Sequence, residues 1–311
     1  MSRARRLIQR LFPVVVSVGA LVALLRMVDV SAVLDAVTWR VATWLVPALL
    51  AYGALTLLLE AVSLRLLVPR ARPGFDGWTA ARIKCASYLL AIVNYTLGQG
   101  ALAVLLRRRA GVRLAEAASI VVLIAVIDLL VLLGLALPGA LVGGSGAPVV
   151  RAGVLAVAGI GFLAALAILR APGSLGPLER IRSLSAFDAL RTTPLSRLAR
   201  LAALRVVFVS SFIALSACAF YGFGVAPRPG AFIVGMAVVA VVGALPIAVA
   251  GLGTSQAAVL YVFRDLAPAP TLLAISLVFT AGLISLRVAM GLFVAREFTR
   301  EALEETRVQE P

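Results

Sequence analysis

Three charged side chains fall inside or at the edge of long apolar segments, where inserting a charge costs at least about 2.5 kcal/mol. Asp128 lies in the middle of "IVVLIAVIDLLVLLGLAL", Arg287 lies within the last apolar segment, and Arg107 follows the third. Asp128 is therefore a candidate for a substrate or proton role, or for an ion pair with an arginine of a neighbouring helix. Arg287 is a candidate to hold a phosphate or to pair with Asp128. Glu60 and Arg65, near the end of the second segment, are expected instead to extend to the membrane surface.

Two groups of polar residues lie beside glycines within apolar segments. The first consists of Asn94, Gly98 and Gln99. The second is the stretch "GALPIAVAGLGTSQ", whose candidate binding residues are Pro246, Gly251, Gly253, Thr254, Ser255 and Gln256. Non-helical backbone at membrane depth is tolerated where it is buried in protein or lines a polar cavity. The pattern therefore favours re-entrant or broken helices over ordinary kinked helices.

A helix that begins at Thr254 would direct its free amide groups and positive dipole end into such a cavity. That arrangement suits an anionic group such as phosphate. Structural roles would also explain these side chains, because Asn94, Gln99 and Gln256 can bond to freed backbone groups, and Thr254 or Ser255 can cap a helix.

The composition excludes several classes of chemistry. The chain has no histidine, so His-based acid–base catalysis, His metal ligation and a Ser-His-Asp triad are absent. Cys85 and Cys218 lack a paired spacing, and no nucleotide-binding motif is visible. We therefore predict no enzymatic activity, no metal and no cofactor. The net charge of +15 lies in short loops between apolar segments, which indicates topology signals and anionic-lipid contacts rather than nucleic-acid binding.

The apolar segments that must position these residues predict an all-α polytopic membrane protein. With 62% hydrophobic residues the chain cannot form a water-soluble globule of this length. A spanning helix needs about 20 apolar residues. Eight segments approach that length: Leu11–Leu25, Val41–Leu59, Cys85–Leu106, Leu114–Leu137, Ala152–Leu169, Val206–Val225, Ala231–Phe263 and Thr271–Val294.

The distribution of arginine and lysine predicts how these segments cross the membrane, since basic residues accumulate on the cytoplasmic side. Both termini are predicted to be cytoplasmic. Cys85–Leu106 has basic clusters at both ends, so it should enter and return rather than cross. Ala231–Phe263 should do the same from the opposite face. The result is about six full spans plus two oppositely oriented re-entrant or broken helices.

Both halves of the chain then follow the same order of two spans, one re-entrant pair and one span. The predicted organisation is a single transmembrane domain, residues 1–311, built as an inverted repeat of 1–142 and 149–311. In many secondary transporters such repeats form the binding site near the membrane midplane. Residues 170–205 are predicted to be a basic cytoplasmic linker, with "LSRLARLAALR" lying along the membrane surface.

Two stretches resemble the transmembrane-region family of lysylphosphatidylglycerol synthetases, which are flippase-like integral membrane proteins. They are "NYTLGQGALAVLLRRRAGVRLAEAASIVVLIAVIDLL" and "ALPIAVAGLGTSQAAVLYVF", and the likeness covers nearly the whole chain. In the second stretch Pro246, Gly251, Leu252 and Gly253 match the family pattern, whereas Ser255 and Gln256 replace its usual arginine and glutamate. In the first stretch Asn94, Gly98, Arg107 and Asp128 fit more loosely.

The resemblance implies a membrane module that moves lipids between leaflets, notably aminoacylated phosphatidylglycerol in the full-length synthetases. Those synthetases carry a soluble C-terminal domain that transfers the aminoacyl group from tRNA. The short polar segment after the last apolar segment leaves no room for such a domain, so synthetase activity is not expected. The departures at Ser255 and Gln256 imply altered or lost activity.

The leading functional hypothesis is a lipid or lipid-linked head-group translocase of the bacterial inner membrane. It would bind an anionic phospholipid or lipid-linked substrate in a midplane cavity. One alternative is a membrane-embedded head-group transferase, which needs acids or nucleophiles that converge at one interface. Another is a non-catalytic subunit of an envelope lipid enzyme, and a homo-oligomer is also compatible with the sequence.

Overall fold

The computed structural model describes residues 35–68, 74–93, 95–141, 184–244 and 253–308, and a few single positions at 31, 152, 153, 156 and 159–161. Within these ranges the regular structure is entirely helical, as predicted. The helices are α1 (Trp39–Leu67), α2 (Gly77–Val93), α3 (Tyr95–Ala110), α4 (Leu114–Leu141), a 3-10 turn (Ser185–Phe187), α5 (Asp188–Thr192), α6 (Leu195–Gly222), α7 (Pro229–Ala244), α8 (Thr254–Val262) and α9 (Ala269–Val308).

Four of the described helices are long and apolar enough to cross a membrane. The spanning parts are Trp39–Leu67, Leu114–Pro138, Leu195–Gly222 and Ala269–Val294. At 1.5 Å per residue each exceeds the hydrocarbon thickness of about 30 Å. The predicted span Leu11–Leu25 and most of Ala152–Leu169 lie outside the described residues, so the count of six spans stays a prediction.

The segment Cys85–Leu106 folds back on itself, as the charge distribution predicted. Helix α2 ends at Val93 and α3 begins at Tyr95, and the two helices pack along each other. Gly98 allows this approach, because a Cβ built there would overlap the Cβ of Ala91 and lie 2.7 Å from its Cα. We call the pair α2–α3 the first hairpin.

The segment Ala231–Phe263 also folds back, as α7 and α8. Gly243 near the end of α7 faces Ser255 at the start of α8, with 2.8 Å between a Cβ built on the glycine and the serine Oγ. At the other end Gly235 lies against Phe263, so the two helices run antiparallel. Helix α8 begins after Gly253, whose φ of 87° lies in the left-handed region that favours glycine. We call α7–α8 the second hairpin.

Helices that precede residue 142 pack against helices that follow residue 184. Helix α1 packs against α6, α2 of the first hairpin packs against α9, and α4 packs against α7 of the second hairpin. One apolar core gathers around Leu64, Leu106 and Leu201. A second core is built on edge-to-face contacts that Phe220 makes with Phe232 and Phe263, with ring centroids 5.1 Å apart in both pairs.

The prediction of a separate surface helix in the linker was wrong. Residues 195–205 form the first three turns of α6 and continue directly into its membrane-spanning part. Leu198 and Leu201 are buried, and Arg205 is completely buried. The amphipathic pattern arises because this end of α6 packs on protein with one face, whereas Arg197 and Arg200 on the other face are exposed. Residues 170–183 lie outside the described ranges.

Two neighbouring glycines of α3 give a matched test of the first hairpin. Gly98→Ala will lower the free energy of unfolding by about 1–3 kcal/mol, because the new methyl group collides with Ala91. Gly100→Ala is the control, since nothing lies within 4 Å of a Cβ at that position, and alanine favours the helix by up to about 1 kcal/mol. Thermal unfolding in detergent measures both. Equal melting temperatures for the two variants would show that the helices do not approach each other at Gly98.

Candidate functional site

A cavity of about 420 Å³ lies between the two hairpins and the long helices. The contacts that close each hairpin line it, namely Ala91 with Gly98 in the first and Gly243 with Ser255 in the second. The walls are largely apolar, with Leu132, Phe212 and Ile275 among them. The polar lining residues are Tyr52, Thr56, Glu60, Lys84, Ser87, Tyr88, Gln99, Asp128, Ser216, Ser255, Ser276, Thr280 and Arg287.

A buried ion cluster forms one wall of this cavity. Glu60 of α1 accepts two hydrogen bonds from Arg205 of α6, at 3.1 Å on Oε1 and 3.0 Å on Oε2. Lys84 of α2 lies 3.2 Å from the same Oε1. The Arg205 side chain is fully buried and that of Glu60 is 4% exposed. Charges buried this deeply persist only when they are paired and hydrogen-bonded, so the cluster ties α1, α2 and α6 together.

Asp128 joins the cluster through a weaker contact. Its Oδ1 lies 3.5 Å from Nε of Arg205, and neither atom has a hydrogen-bond partner in the described structure. The ion pair with a neighbouring helix is therefore present, but its partner is Arg205 rather than Arg287. The Asp128 side chain is 28% exposed and lines the cavity, so it also faces any ligand there.

Arg287 of α9 lines the cavity and forms no ion pair with a carboxylate of the described residues. It is half-buried, and in the described part of the chain no aspartate or glutamate lies within 4.0 Å of its guanidinium. A guanidinium in this position can donate two parallel hydrogen bonds to a phosphate. Arg287 is therefore the strongest candidate for an anion-binding group.

The remaining predicted site residues divide into three groups. Gly98, Gln99 and Ser255 line the cavity with Asp128 and Arg287, whereas Gly253, Thr254 and Gln256 do not. Arg107 is exposed in the last turn of α3 and does not line the cavity. Three further predicted residues, Asn94, Pro246 and Gly251, lie outside the described residues.

Gln256 has a structural role in the second hairpin. The N–H of Gly253 donates to Oε1 of Gln256 at 2.7 Å, and Nε2 of Gln256 donates to Oγ1 of Thr280 at 3.2 Å. Helix α8 does begin at Thr254, but neither Thr254 nor Ser255 is its N-cap, because Gly253 occupies that position. The glutamine side chain therefore satisfies one of the amides that the start of α8 leaves without a partner within the helix.

Removing this cap gives a second test of the hairpin. Gln256→Met keeps most of the side-chain volume but leaves the buried Gly253 N–H without an acceptor, so we expect a loss of about 1–3 kcal/mol in the free energy of unfolding. Gln99→Met is the control in the other hairpin, because Gln99 makes no hydrogen bond within the described residues. Chemical unfolding in detergent compares the two. Similar losses would argue against the capping role.

Sequence reasoning missed Glu60, Lys84 and Arg205 as parts of one cluster. The prediction that Glu60 reaches the membrane surface was wrong, because its side chain is buried and paired with Lys84 and Arg205. Arg65 is exposed, as expected. Arg205 had no local signal, since its partner is 145 residues away.

The fold and the charged cavity define a multi-pass, all-helical integral membrane protein. The sequence matches the family described as lysylphosphatidylglycerol synthase TM region over residues 10–291. This match covers most of the chain, so the protein belongs to that family. Comparisons with curated proteins and with solved structures gave no match.

Proposed function

We propose that this protein is a flippase-like translocase of the bacterial inner membrane that moves an anionic phospholipid or lipid-linked head group between leaflets. The observation that carries the proposal is the cavity shared by the two hairpins, in which Arg287 has no carboxylate partner within the described residues. Family membership supports a role in lipid metabolism. The distribution of basic residues in the sequence favours a cytoplasmic location for both termini.

The charges around the cavity favour an anionic ligand. Among the lining residues Lys84 and Arg287 are cationic and Glu60 and Asp128 are anionic. Arg205 does not line the cavity but contacts both carboxylates, and it brings the formal sum of the five charges to +1. A head group with one phosphate would neutralise this excess, while the largely apolar walls accept its glycerol and ester parts. The acyl chains would remain in the surrounding lipid.

The packing of the helices supports an inverted repeat. If α1 to α4 are equivalent to α6 to α9, the contact of α2 with α9 becomes the equivalent of the contact of α7 with α4. The contact of α1 with α6 is then a contact between two equivalent helices, which is what a two-fold axis between the repeats would produce. Transporters built this way alternate access by rocking one repeat against the other around a fixed site.

Lipid exchange in proteoliposomes tests the proposal. Labelled phosphatidylglycerol in one leaflet should reach the other faster than in protein-free vesicles, and labelled phosphatidylcholine, whose head group has no net charge, should be accelerated less. Failure to accelerate any of several anionic lipids would refute translocation. A stable complex with an envelope lipid enzyme would then favour the role of a partner subunit. We expect no catalysis, because the Glu60 carboxylate is held by two cations.

Cysteine labelling tests whether the two hairpins enter from opposite faces. In a Cys85→Ala, Cys218→Ala background, Arg107→Cys and Arg264→Cys place a thiol at an exposed position at the end of α3 and just after α8. If the hairpins enter from opposite faces, a membrane-impermeant reagent should label Arg107→Cys only from the cytoplasm and Arg264→Cys only from outside. Gln256→Cys is the control and should resist labelling, because Gln256 is fully buried. Labelling of Arg107→Cys and Arg264→Cys from the same side contradicts the inverted arrangement.

A further inference from the structure

Asp128 is the carboxylate in the cavity that is held least tightly. Both terminal nitrogens of Arg205 donate to Glu60, and only its Nε faces Asp128, at 3.5 Å. Glu60 therefore remains ionised through its contacts with two cations, whereas Asp128 can accept a proton without losing a hydrogen bond to any described residue. Because its side chain is 28% exposed and lines the cavity, water in the cavity can deliver that proton.

The titratable groups that contact Asp128 or line the cavity with it come from every long helix that borders the cavity. Helix α6 contributes Arg205, α1 contributes Glu60 and Tyr52, α2 contributes Lys84 and Tyr88, and α9 contributes Arg287. The described parts of α3, α7 and α8 add no titratable side chain to the lining. Helix α5 also packs near α4, but Asp188 and Arg191 there pair with each other outside the cavity.

These charges couple proton binding to anion binding. With Asp128 ionised the formal sum of the four lining charges and Arg205 is +1, and protonation of Asp128 raises that sum to +2. A nearby phosphate would repel an ionised Asp128 and thereby favour its protonated form. By thermodynamic linkage, protonation of Asp128 must increase the affinity for the phosphate by the same factor.

We infer that Asp128 is a proton-binding site, and that one proton on its carboxylate accompanies each anionic head group through the cavity. This inference rests on the proposed function. The complex of one proton with one monoanionic head group has no net charge, so a proton gradient would drive its movement and the membrane potential would not. The proton leaves Asp128 when the head group departs and the repulsion between them disappears.

A leaflet-distribution assay under a pH gradient tests the inference. Proteoliposomes receive labelled phosphatidylglycerol, and potassium with valinomycin holds the potential at zero. A gradient of one pH unit should enrich the label up to about tenfold in the leaflet on the alkaline side, because each pH unit corresponds to about 1.4 kcal/mol for one proton. Protein-free vesicles under the same gradient measure passive movement. A distribution that ignores the gradient overturns the inference.

Three substitutions on α4 locate the effect. Asp128→Asn should make the distribution independent of the pH gradient, and Asp128→Glu should restore dependence on the gradient. Glu116→Gln removes a carboxylate from the first turn of the same helix, outside the cavity, and should behave like the unmodified protein. Full gradient response in Asp128→Asn would refute the assignment to Asp128.

A binding measurement separates the two proposals without any variant. In weakly buffered detergent solution, addition of dihexanoyl phosphatidylglycerol should cause proton uptake that a pH indicator detects. If the unmodified protein exchanges no lipid in vesicles, the proposed function fails. If it exchanges lipid but shows no response to the gradient and no proton uptake, the translocase remains and the coupling at Asp128 is refuted.

Discussion

Replacing Arg287 with glutamine will slow the exchange of labelled phosphatidylglycerol by about tenfold to a hundredfold, because a hydrogen bond to a charged group contributes about 1.5–3 kcal/mol. Arg287 lines the cavity and has no carboxylate partner in the described structure, so it is available to a phosphate. Glutamine retains hydrogen-bonding capacity and much of the length but removes the charge. The initial rate of leaflet exchange in proteoliposomes measures the effect.

Two further substitutions show whether position and geometry matter. Arg287→Lys keeps the charge but loses the planar two-pronged donor, so its rate should fall between those of arginine and glutamine. Arg264→Gln removes an arginine that is exposed and lies outside the cavity, and it should leave exchange unchanged. If Arg264→Gln and Arg287→Gln reduce exchange equally, the effect comes from the overall charge and not from the cavity.

Arg205→Ala will lower the free energy of unfolding by about 3–5 kcal/mol, the cost of removing one partner from a buried ion pair. Glu60 loses two hydrogen bonds, at 3.1 and 3.0 Å, and Asp128 loses its nearest cation. Lys84 remains beside Glu60, but one ammonium group cannot replace the two-pronged contact of the guanidinium. Unfolding by a denaturing detergent in mixed micelles gives the difference in free energy.

The same helix provides the control for this substitution. Arg200 lies in α6 and is exposed, so Arg200→Ala should change the stability by less than about 0.5 kcal/mol. Arg205→Lys keeps a charge opposite Glu60 and should fall between the other two variants. An Arg205→Ala protein as stable as Arg200→Ala would mean that the cluster does not hold α1 and α6 together.

Much of the architecture was predictable from local features of the sequence. Continuous apolar segments predict helices, and the basic residues at both ends of Cys85–Leu106 predicted that this segment folds back. The small residue Gly98 marks the place where the two helices approach. These signals act over a few turns of chain, so they can be read without knowing which helices are neighbours.

The chemistry of the cavity was harder to predict, because it depends on partners that are distant in sequence. Asp128 and Arg287 were identified from their depth, but the contact of Asp128 with Arg205 depends on how α4 packs against α6. The orientations of Ser255 and Gln256 depend on where α8 begins. Because Gly253 is the N-cap of α8, Ser255 lines the cavity and Gln256 accepts a hydrogen bond from the Gly253 N–H. A start of α8 one residue earlier or later would exchange these orientations.

The pairing of Glu60 with Arg205 has a consequence for biogenesis. Translation delivers Glu60 to the membrane 145 residues before Arg205, so the carboxylate needs a counter-charge while synthesis continues. Lys84, which emerges soon after Glu60 and lies 3.2 Å from it in the finished fold, can serve as that early partner. A nascent chain that stops before α6 would still contain the ion pair of Glu60 with Lys84. The second half of the chain alone would place Arg205 in the membrane without Glu60 and Asp128, the two carboxylates that neutralise it. The first half therefore has to be inserted before α6 can enter the membrane with Arg205 paired. The order of synthesis matches the order in which the charges can be neutralised.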